Sequence, residues 1–183
     1  VHPKTVKNIT HLDLTSSSLE DQAETVHTLL ERGGRRVDVG QSASDRHVVL
    51  ADPEGNELCI IEPDNSFLAG CERLGSITCD GSPAAGYFWS AVLGWPLVWD
   101  QDDETAVREV EGAGPYITWG PPFPVSGAPN RLRLEIRAEH APNQQAAIDR
   151  LVALGASRIT TTSSITERVV MADPDGVEFH VLA

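Results

Sequence analysis

The stretch HVVLADPEGNELC (residues 47–59) is repeated in similar form as RVVMADPDGVEFH (168–180), and this repeat decides the fold. Seven of ten consecutive positions around the shared Asp-Pro pair are identical in the two copies. The similarity continues upstream, where KNITHLDL (7–14) corresponds to PNRLRLEI (129–136). Internal repetition of this kind indicates a chain built from copies of one structural unit.

Each copy has the same order of elements: a strand, a helix, and short strands around a turn. Alternating residues mark one face of the first strand in each copy: Thr10, Leu12 and Leu14, then Leu132, Leu134 and Ile136. The helix boundaries are predicted from Ser18 with Asp21 as a capping box, Pro142 in a first helical turn, and Gly33 and Gly155 at the helix ends. The Asp-Pro pairs at Asp52 and Asp173 are predicted to serve turn geometry and not catalysis.

A third, more diverged unit lies between the copies. LGSITCD (74–80) predicts a strand, and Ser82 with Pro83 opens a helix that Gly94 ends. Three further strands are predicted from PLVWDQ, TAVREVE and PYITWG, so the element order is the same again. The stretches 62–73 and 120–130 are predicted connectors between the units.

Composition narrows the possible functions. The 183 residues carry 14 Lys and Arg against 27 Asp and Glu, a net charge of −13, which argues against a nucleic-acid partner. No apolar run approaches the roughly 18 residues needed to span a bilayer. The three cysteines have no metal-knuckle spacing, so we predict reduced thiols and a cytoplasmic location.

These motifs resemble the vicinal oxygen chelate superfamily, which includes glyoxalase I, bleomycin-resistance proteins and extradiol dioxygenases. Within it, the chain is most similar to bacterial glyoxalase-like domain proteins. The resemblance rests on four stretches: HLDL (11–14), FWSAVLGW (88–95), ADPEGNE (51–57) and ADPDGVE (172–178).

The resemblance implies an α+β fold of tandem βαβββ modules that pair into curved, cup-forming mixed sheets with helices outside. We assign residues 67–120 and 129–183 to one such pair. Residues 1–63 form a single module whose partner is expected to come from a preceding module or from a homodimer, because the sequence starts at Val1 in a connector-like stretch.

The resemblance also implies metal ligands on the first and last strands of each module. His11 and Glu57 match such positions in the first module. In the last module, Glu178 matches the ligand position on the last strand, but Arg133 occupies the first-strand position where a histidine is expected. In the middle module, Leu74 lies near the first-strand position. Since an arginine repels a cation, we expect the second pair to be metal-free, with Arg133 and Glu178 forming an ion pair.

The predicted site residues therefore fall into three groups. Glu57 and Glu178 are the catalytic candidates, and His11 and Glu57 are the metal ligands. The predicted ligand-binding residues are Asp13, Trp95, Trp99, Trp119, Arg133, Glu135 and His180. Core packing is the alternative role for at least two of the tryptophans.

Two functions stay open at this point. The first is a binder of a small apolar or aromatic ligand in a largely metal-free cup, similar to bleomycin-resistance proteins. The alternative is a lyase, isomerase or dioxygenase of the glyoxalase type, in which His11 and Glu57 hold one divalent Zn, Ni, Mn or Fe ion. The expected partner in both cases is a small molecule, with neither nucleic acid nor membrane involved.

Overall fold

The structure, a computed structural model, describes residues 4, 6–42, 44–110, 112, 114–124, 130–137, 143–159 and 168–182. Within these residues the helices are α1 (Leu19–Glu31), α2 (Pro83–Leu93) and α3 (Gln144–Leu154). The strands are β1 (Thr10–Leu14), β2 (Arg35–Arg36), β3 (Val48–Ala51), β4 (Glu57–Ile60), β5 (Leu74–Asp80), β6 (Leu97–Gln101), β7 (Glu104–Val107), β8 (Tyr116–Gly120), β9 (Glu135–Arg137), β10 (Ser157–Arg158), β11 (Arg168–Ala172) and β12 (Glu178–Leu182). The predicted α+β class is confirmed.

The helix boundaries follow the predicted signals, with one correction. The hydroxyl of Ser18 accepts a hydrogen bond of 3.1 Å from the backbone N–H of Asp21, as predicted for an N-cap. α2 and α3 end at Gly94 and Gly155, both left-handed, where a residue with a Cβ would be strained. α3 is capped by Asn143 and begins one residue later, whereas Pro142 lies outside the described residues.

The chain divides into two compact units, and the first comprises the described residues up to Cys79 together with Arg108–Thr118. Its strands are ordered β2-β3-β4-β1-β5-β8, and the sheet is mixed because β1 runs parallel to β4 and antiparallel to β5. The buried residues Val26, Leu50 and Ile60 pack together and hold α1 against one face of this sheet. On the other face, polar side chains of β1 and β5 lie next to one another.

The second unit comprises Asp80–Val107 and the described residues from Trp119 onwards. It contains α2, the antiparallel β6–β7 hairpin, α3, and a four-stranded sheet ordered β10-β11-β12-β9. Its core is aromatic: Trp89 stacks on Trp119 with ring centroids 6.2 Å apart and meets Phe179 edge-on at 4.9 Å.

Strand pairing joins the first and middle modules, because β1, in the first module, pairs with β5, the first strand of the middle module. β4 forms hydrogen bonds with the backbone groups along only one edge of β1. The backbone groups along the other edge are hydrogen-bonded by β5. The division into a single module at 1–63 and a pair formed by 67–120 and 129–183 stays a prediction.

The last module forms its own sheet, in which β9 pairs with β12 in parallel. In the part of the chain that the structure describes, no helix is long and apolar enough to cross a membrane.

Candidate functional site

The first unit carries a row of polar side chains on the sheet face opposite α1. Asp13 lies opposite Cys59 in the parallel β1–β4 pair and opposite Ser76 in the antiparallel β1–β5 pair. His11 lies opposite Thr78 in the same antiparallel pair. Since side chains two residues apart leave a strand on the same side, one face collects all of them. We call it the polar face, defined by Glu57, Cys59, His11, Asp13, Ser76, Thr78 and Thr118.

Asp13 is the centre of this face. Its Oδ2 accepts hydrogen bonds from the hydroxyls of Ser76 at 2.7 Å and Thr78 at 2.5 Å, and Thr118 in turn donates to Thr78 at 3.1 Å. Its Oδ1 lies 3.4 Å from Nε2 of His11. Burial alone would raise the pKa of Asp13, but the hydrogen bonds and charge of His11 and the two hydroxyls outweigh it and lower that pKa. Asp13 is thus a buried, ionised carboxylate.

Cys59 behaves in the opposite way. Burial raises the pKa of its thiol, and the charge of Asp13 and a hydrogen bond to that carboxylate raise it further. Cys59 is therefore a protonated thiol that donates to Asp13. A thiol in this state is a poor nucleophile, because the thiolate is the reactive form.

His11 has one ring nitrogen without a hydrogen-bond partner in the described part of the chain. Its Nδ1 is buried and has no hydrogen-bond partner there, although Nε2 faces Asp13. A buried polar atom in this state is uncommon in folded proteins and calls for a partner such as a water molecule or a ligand.

The side chains of His11, Asp13 and Cys59 fit a divalent metal ion in type and spacing. Each of these residues offers one ligand atom, and the three atoms lie within 4.8 Å of one another. Imidazole, carboxylate and thiolate are all ligands of zinc and related ions, so type and spacing fit a cation. The ion would have to displace the proton that the Cys59 thiol holds.

Glu57 lies on the polar face but outside this cluster. Its carboxylate forms an ion pair with Lys4, and its second oxygen accepts a hydrogen bond of 3.2 Å from the backbone of Asn8. Its predicted companion His11 is instead paired with Asp13. Both carboxylate oxygens of Glu57 therefore already have partners among the described residues.

Sequence reasoning missed Cys59, Ser76, Thr78 and Thr118. The two-residue step from Glu57 to Cys59 was a usable signal, because both side chains leave β4 on the same side. The hydroxyl residues gave no such signal, since only the register of β1 against β5 brings Ser76 and Thr78 to Asp13.

The last module places four predicted site residues together in the second unit. Arg133 and Glu178 are 3.3 Å apart, which confirms the predicted ion pair. Glu135 accepts from Nδ1 of His180 at 3.0 Å and also pairs with Arg168 at 3.1 Å. His180 and Glu135 face each other across β12 and β9, as Cys59 and Asp13 do across β4 and β1.

The predicted tryptophans have different positions within the second unit. Trp119 is 2% exposed and stacks on Trp89, so it belongs to the core of this unit and not to an open ligand wall. Trp95 is half-buried, and its carbonyl accepts a hydrogen bond of 2.6 Å from Ser90. Trp99 is half-buried in β6 opposite Ala106.

Both Asp-Pro turns serve backbone geometry, as predicted. Asp52 accepts from the backbone of Asn56 at 2.8 Å, and Asp173 accepts from the backbone of Val177 at 3.0 Å. Asp173 also accepts from the indole of Trp89 at 3.2 Å, which links its turn to the core of the second unit.

Comparison with known proteins identifies the family. The chain belongs to the glyoxalase-like domain family, whose model matches residues 1–61 and 76–182. It is therefore a member of the vicinal oxygen chelate superfamily, as its motifs indicated. Comparison with curated proteins finds no match.

Solved structures share the fold at low sequence identity. Glyoxalase I from Zea mays is 14% identical with a TM-score of 0.55, over 94% of this chain and 66% of that chain. A putative dioxygenase from Bacillus subtilis is 15% identical with a TM-score of 0.54, over 96% of this chain and 61% of that chain. This chain thus spans slightly less than two thirds of the length of either protein.

Proposed function

We propose that this chain binds a small organic ligand against the polar face of the first unit, and that it does so without a metal ion. The polar face supplies a buried carboxylate, a ring nitrogen of His11 that has no partner among the described residues, and several hydroxyl groups. Such a combination of few, convergent polar groups is typical of small-molecule sites.

Aromatic side chains on and beside β8 support a ligand that contains an aromatic ring. Tyr116 precedes Thr118 by two residues, so its side chain leaves β8 on the same side as the polar face. Phe67 meets the Tyr116 ring edge-on at 6.1 Å, and the Arg108 guanidinium lies 5.4 Å from its centroid. Aromatic rings held in this way offer a stacking surface for another ring.

The hydrogen bonding of Asp13 carries the metal-free part of the proposal. Its carboxylate takes hydrogen bonds from Ser76 and Thr78 and also faces His11 and the Cys59 thiol. Donors from the protein stabilise an ionised carboxylate in the way that a bound cation would.

A thermal-shift screen of small aromatic compounds tests this function. Compounds that raise the melting temperature of the wild-type protein should lose that effect in His11→Ala. The matched control is His27→Ala, an exposed histidine on α1, which should retain it. Compounds that stabilise the His11→Ala protein as much as wild type would contradict a site on the polar face.

A metal-dependent enzyme is the second candidate, and the His11, Asp13 and Cys59 cluster favours it. These three side chains would hold the ion, in place of the predicted pair of His11 and Glu57. A divalent ion bound there would supply Lewis-acid chemistry to oxygen atoms of a substrate. Ser76 and Thr78 would orient the Asp13 carboxylate, and the reaction class to assay would be lyase, isomerase or dioxygenase.

The charged cluster of the second unit is proposed as a further ligand-contacting surface. Arg133 with Glu178, and Arg168 with Glu135 and His180, form a cluster in which positive and negative charges balance. Because these side-chain charges neutralise one another, the cluster needs no metal ion for charge balance. A homodimer stays a prediction, which sedimentation velocity checks.

A further inference from the structure

We propose that a cavity at one end of the sheet in the first unit is a second small-molecule site, which binds an organic cation that carries several hydroxyl groups. The cavity lies where β1 and β4 end, between the start of α1 and the connector that follows β4. Its lining comprises residues 15–17, 61–66 and 68–71, none of which belongs to the polar face. The inference therefore stands apart from the function proposed for that face.

The size and lining of the cavity suit such a ligand. Its volume is about 430 Å³, within the range of roughly 300–1,000 Å³ that is typical of small-molecule sites. Side chains with a hydroxyl or an amide group make up much of the polar lining: Thr15, Ser16, Ser17, Asn65 and Ser66. Groups of this kind both donate and accept hydrogen bonds, so they match a ligand with several hydroxyl groups.

The connector is held in place around the cavity from two sides. Near β4, the guanidinium of Arg46 pairs with the carboxylate of Asp64 at 2.8 Å. Near β5, the side chain of Arg73 donates a hydrogen bond of 2.6 Å to the carbonyl of Thr15. A ligand would therefore meet a cavity that is already formed, which reduces the entropic cost of binding.

Ser16 brings to the cavity a hydroxyl group that needs a partner. The residue is 8% exposed, and its Oγ is buried with no hydrogen-bond partner among the described residues. A buried hydroxyl in this state is destabilising unless a water molecule or a ligand completes its hydrogen bonding. Because a serine hydroxyl can donate as well as accept, a hydroxyl group of the ligand fits it.

The charge of the lining favours a cation. Apart from the thiol of Cys71, its ionisable side chains are the carboxylates of Glu62 and Asp64. Asp64 is paired with Arg46, whereas Glu62 accepts a hydrogen bond of 2.8 Å from the neutral amide of Asn65. The charge of Glu62 also acts on Arg46, but one guanidinium beside two carboxylates leaves an excess of negative charge. An ammonium group in the cavity would balance that excess.

Calorimetric titration with three probes of similar length tests the ligand class. Glucamine is an ammonium with several hydroxyl groups, sorbitol is the corresponding polyol without the charge, and hexylamine is the ammonium without the hydroxyl groups. We expect glucamine to bind about tenfold more tightly than either of the others, the size of difference that a charged hydrogen bond makes. Sorbitol or hexylamine binding as tightly as glucamine overturns the ligand class, and a protein that does not bind glucamine overturns the site.

Two variants test the residues that recognise the ligand. Glu62→Gln keeps an acceptor for Asn65 and removes the charge, so it should weaken glucamine about tenfold and leave sorbitol unchanged. Ser16→Ala should weaken both polyols, and it should melt no lower than wild type because it removes a hydroxyl without a partner. Glu24→Gln and Ser157→Ala, at exposed positions outside the cavity, are the matched controls and should bind glucamine as wild type does. Wild-type affinity for glucamine in Glu62→Gln or in Ser16→Ala overturns the proposal.

Alkylation of Cys71 locates the ligand without these variants. Cys71 is half-buried in the cavity lining, whereas Cys59 and Cys79 are buried. Glucamine should slow the labelling of Cys71 by iodoacetamide, followed by peptide mass spectrometry, equally in wild type and in His11→Ala. An unchanged labelling rate overturns the site, and protection that is lost in His11→Ala overturns it by placing glucamine on the polar face. Protection in both proteins, together with a failed screen for aromatic ligands, supports this site and contradicts the proposed function of the polar face.

Discussion

The hydroxyl of Ser76 donates a hydrogen bond of 2.7 Å to the carboxylate of Asp13, although 63 positions separate the two residues. The two side chains come from the first strands of the first and middle modules, so the candidate site is built across the junction of these strands. The first module supplies His11, the middle module supplies the hydroxyls of Ser76 and Thr78, and all three lower the pKa of Asp13. The site and the strand pairing are therefore expected to form together.

The first prediction concerns acid stability. A hydrogen bond from Arg73, followed by one from the Ser17 backbone, lowers the pKa of Asp21 from 3.8 to about 2. Because the folded-state pKa lies below the unfolded value, this carboxylate stabilises the fold above about pH 4 and loses that effect as the pH falls toward 2. The urea midpoint of Asp21→Asn should vary less with pH between 5 and 2 than that of wild type.

Asp149→Asn, on the exposed side of α3, is the control for that experiment. It should leave the pH profile of the urea midpoint as in wild type. Parallel profiles for wild type and Asp21→Asn would mean that the Asp21–Arg73 pair does not contribute to acid stability.

Close packing between α2 and β7 gives the second prediction. A Cβ added at Gly86 would lie 1.9 Å from the hydroxyl oxygen of Thr105, which is fully buried. Gly86→Ala should therefore lower the free energy of unfolding by about 1–3 kcal/mol through overpacking. Gly114→Ala adds the same methyl group where nothing lies within 4 Å, and its denaturation curve should stay close to wild type. Equal curves for the two variants would contradict this packing.

The third prediction concerns the start of α2. Both the backbone N–H and the hydroxyl of Ser82 donate to the carboxylate of Asp175, at 2.6 and 2.7 Å. Asp175 thus caps a helix from a turn in another module, where its charge also favours the positive end of the helix. Asp175→Ala should cost about 0.5–2 kcal/mol of folding free energy.

The repeat provides the matched control for Asp175. Glu54 holds the equivalent position in the first Asp-Pro-acid-Gly turn and is exposed. Glu54→Ala should shift the thermal midpoint less than Asp175→Ala. A larger loss from Glu54→Ala would argue against the capping role.

Local signals in the sequence were sufficient for the element order. Ser18 predicts the cap of α1, and Gly94 and Gly155 predict the ends of α2 and α3, because a cap or a left-handed residue depends on neighbours in the chain. The turn role of Asp52 could be predicted for the same reason.

The candidate site could be predicted only in part, because it depends on which strands are neighbours. Alternation along β1 places His11 and Asp13 on one side, but says nothing of the strand beside them. The sequence therefore identified His11 and assigned it Glu57 as a companion. Asp13 is its companion from the same strand, and the register of β1 with β4 and β5 brings Cys59 and Thr78 to the same face.

Elemental analysis of the purified protein tests the central claim, a ligand site on the polar face that needs no metal. Wild type and His11→Ala would each be incubated with Zn²⁺, desalted and measured by inductively coupled plasma mass spectrometry. We predict well under one metal ion per chain, with the same value for both proteins. One ion per chain in wild type that is lost in His11→Ala would contradict the account and establish the metal centre of His11, Asp13 and Cys59.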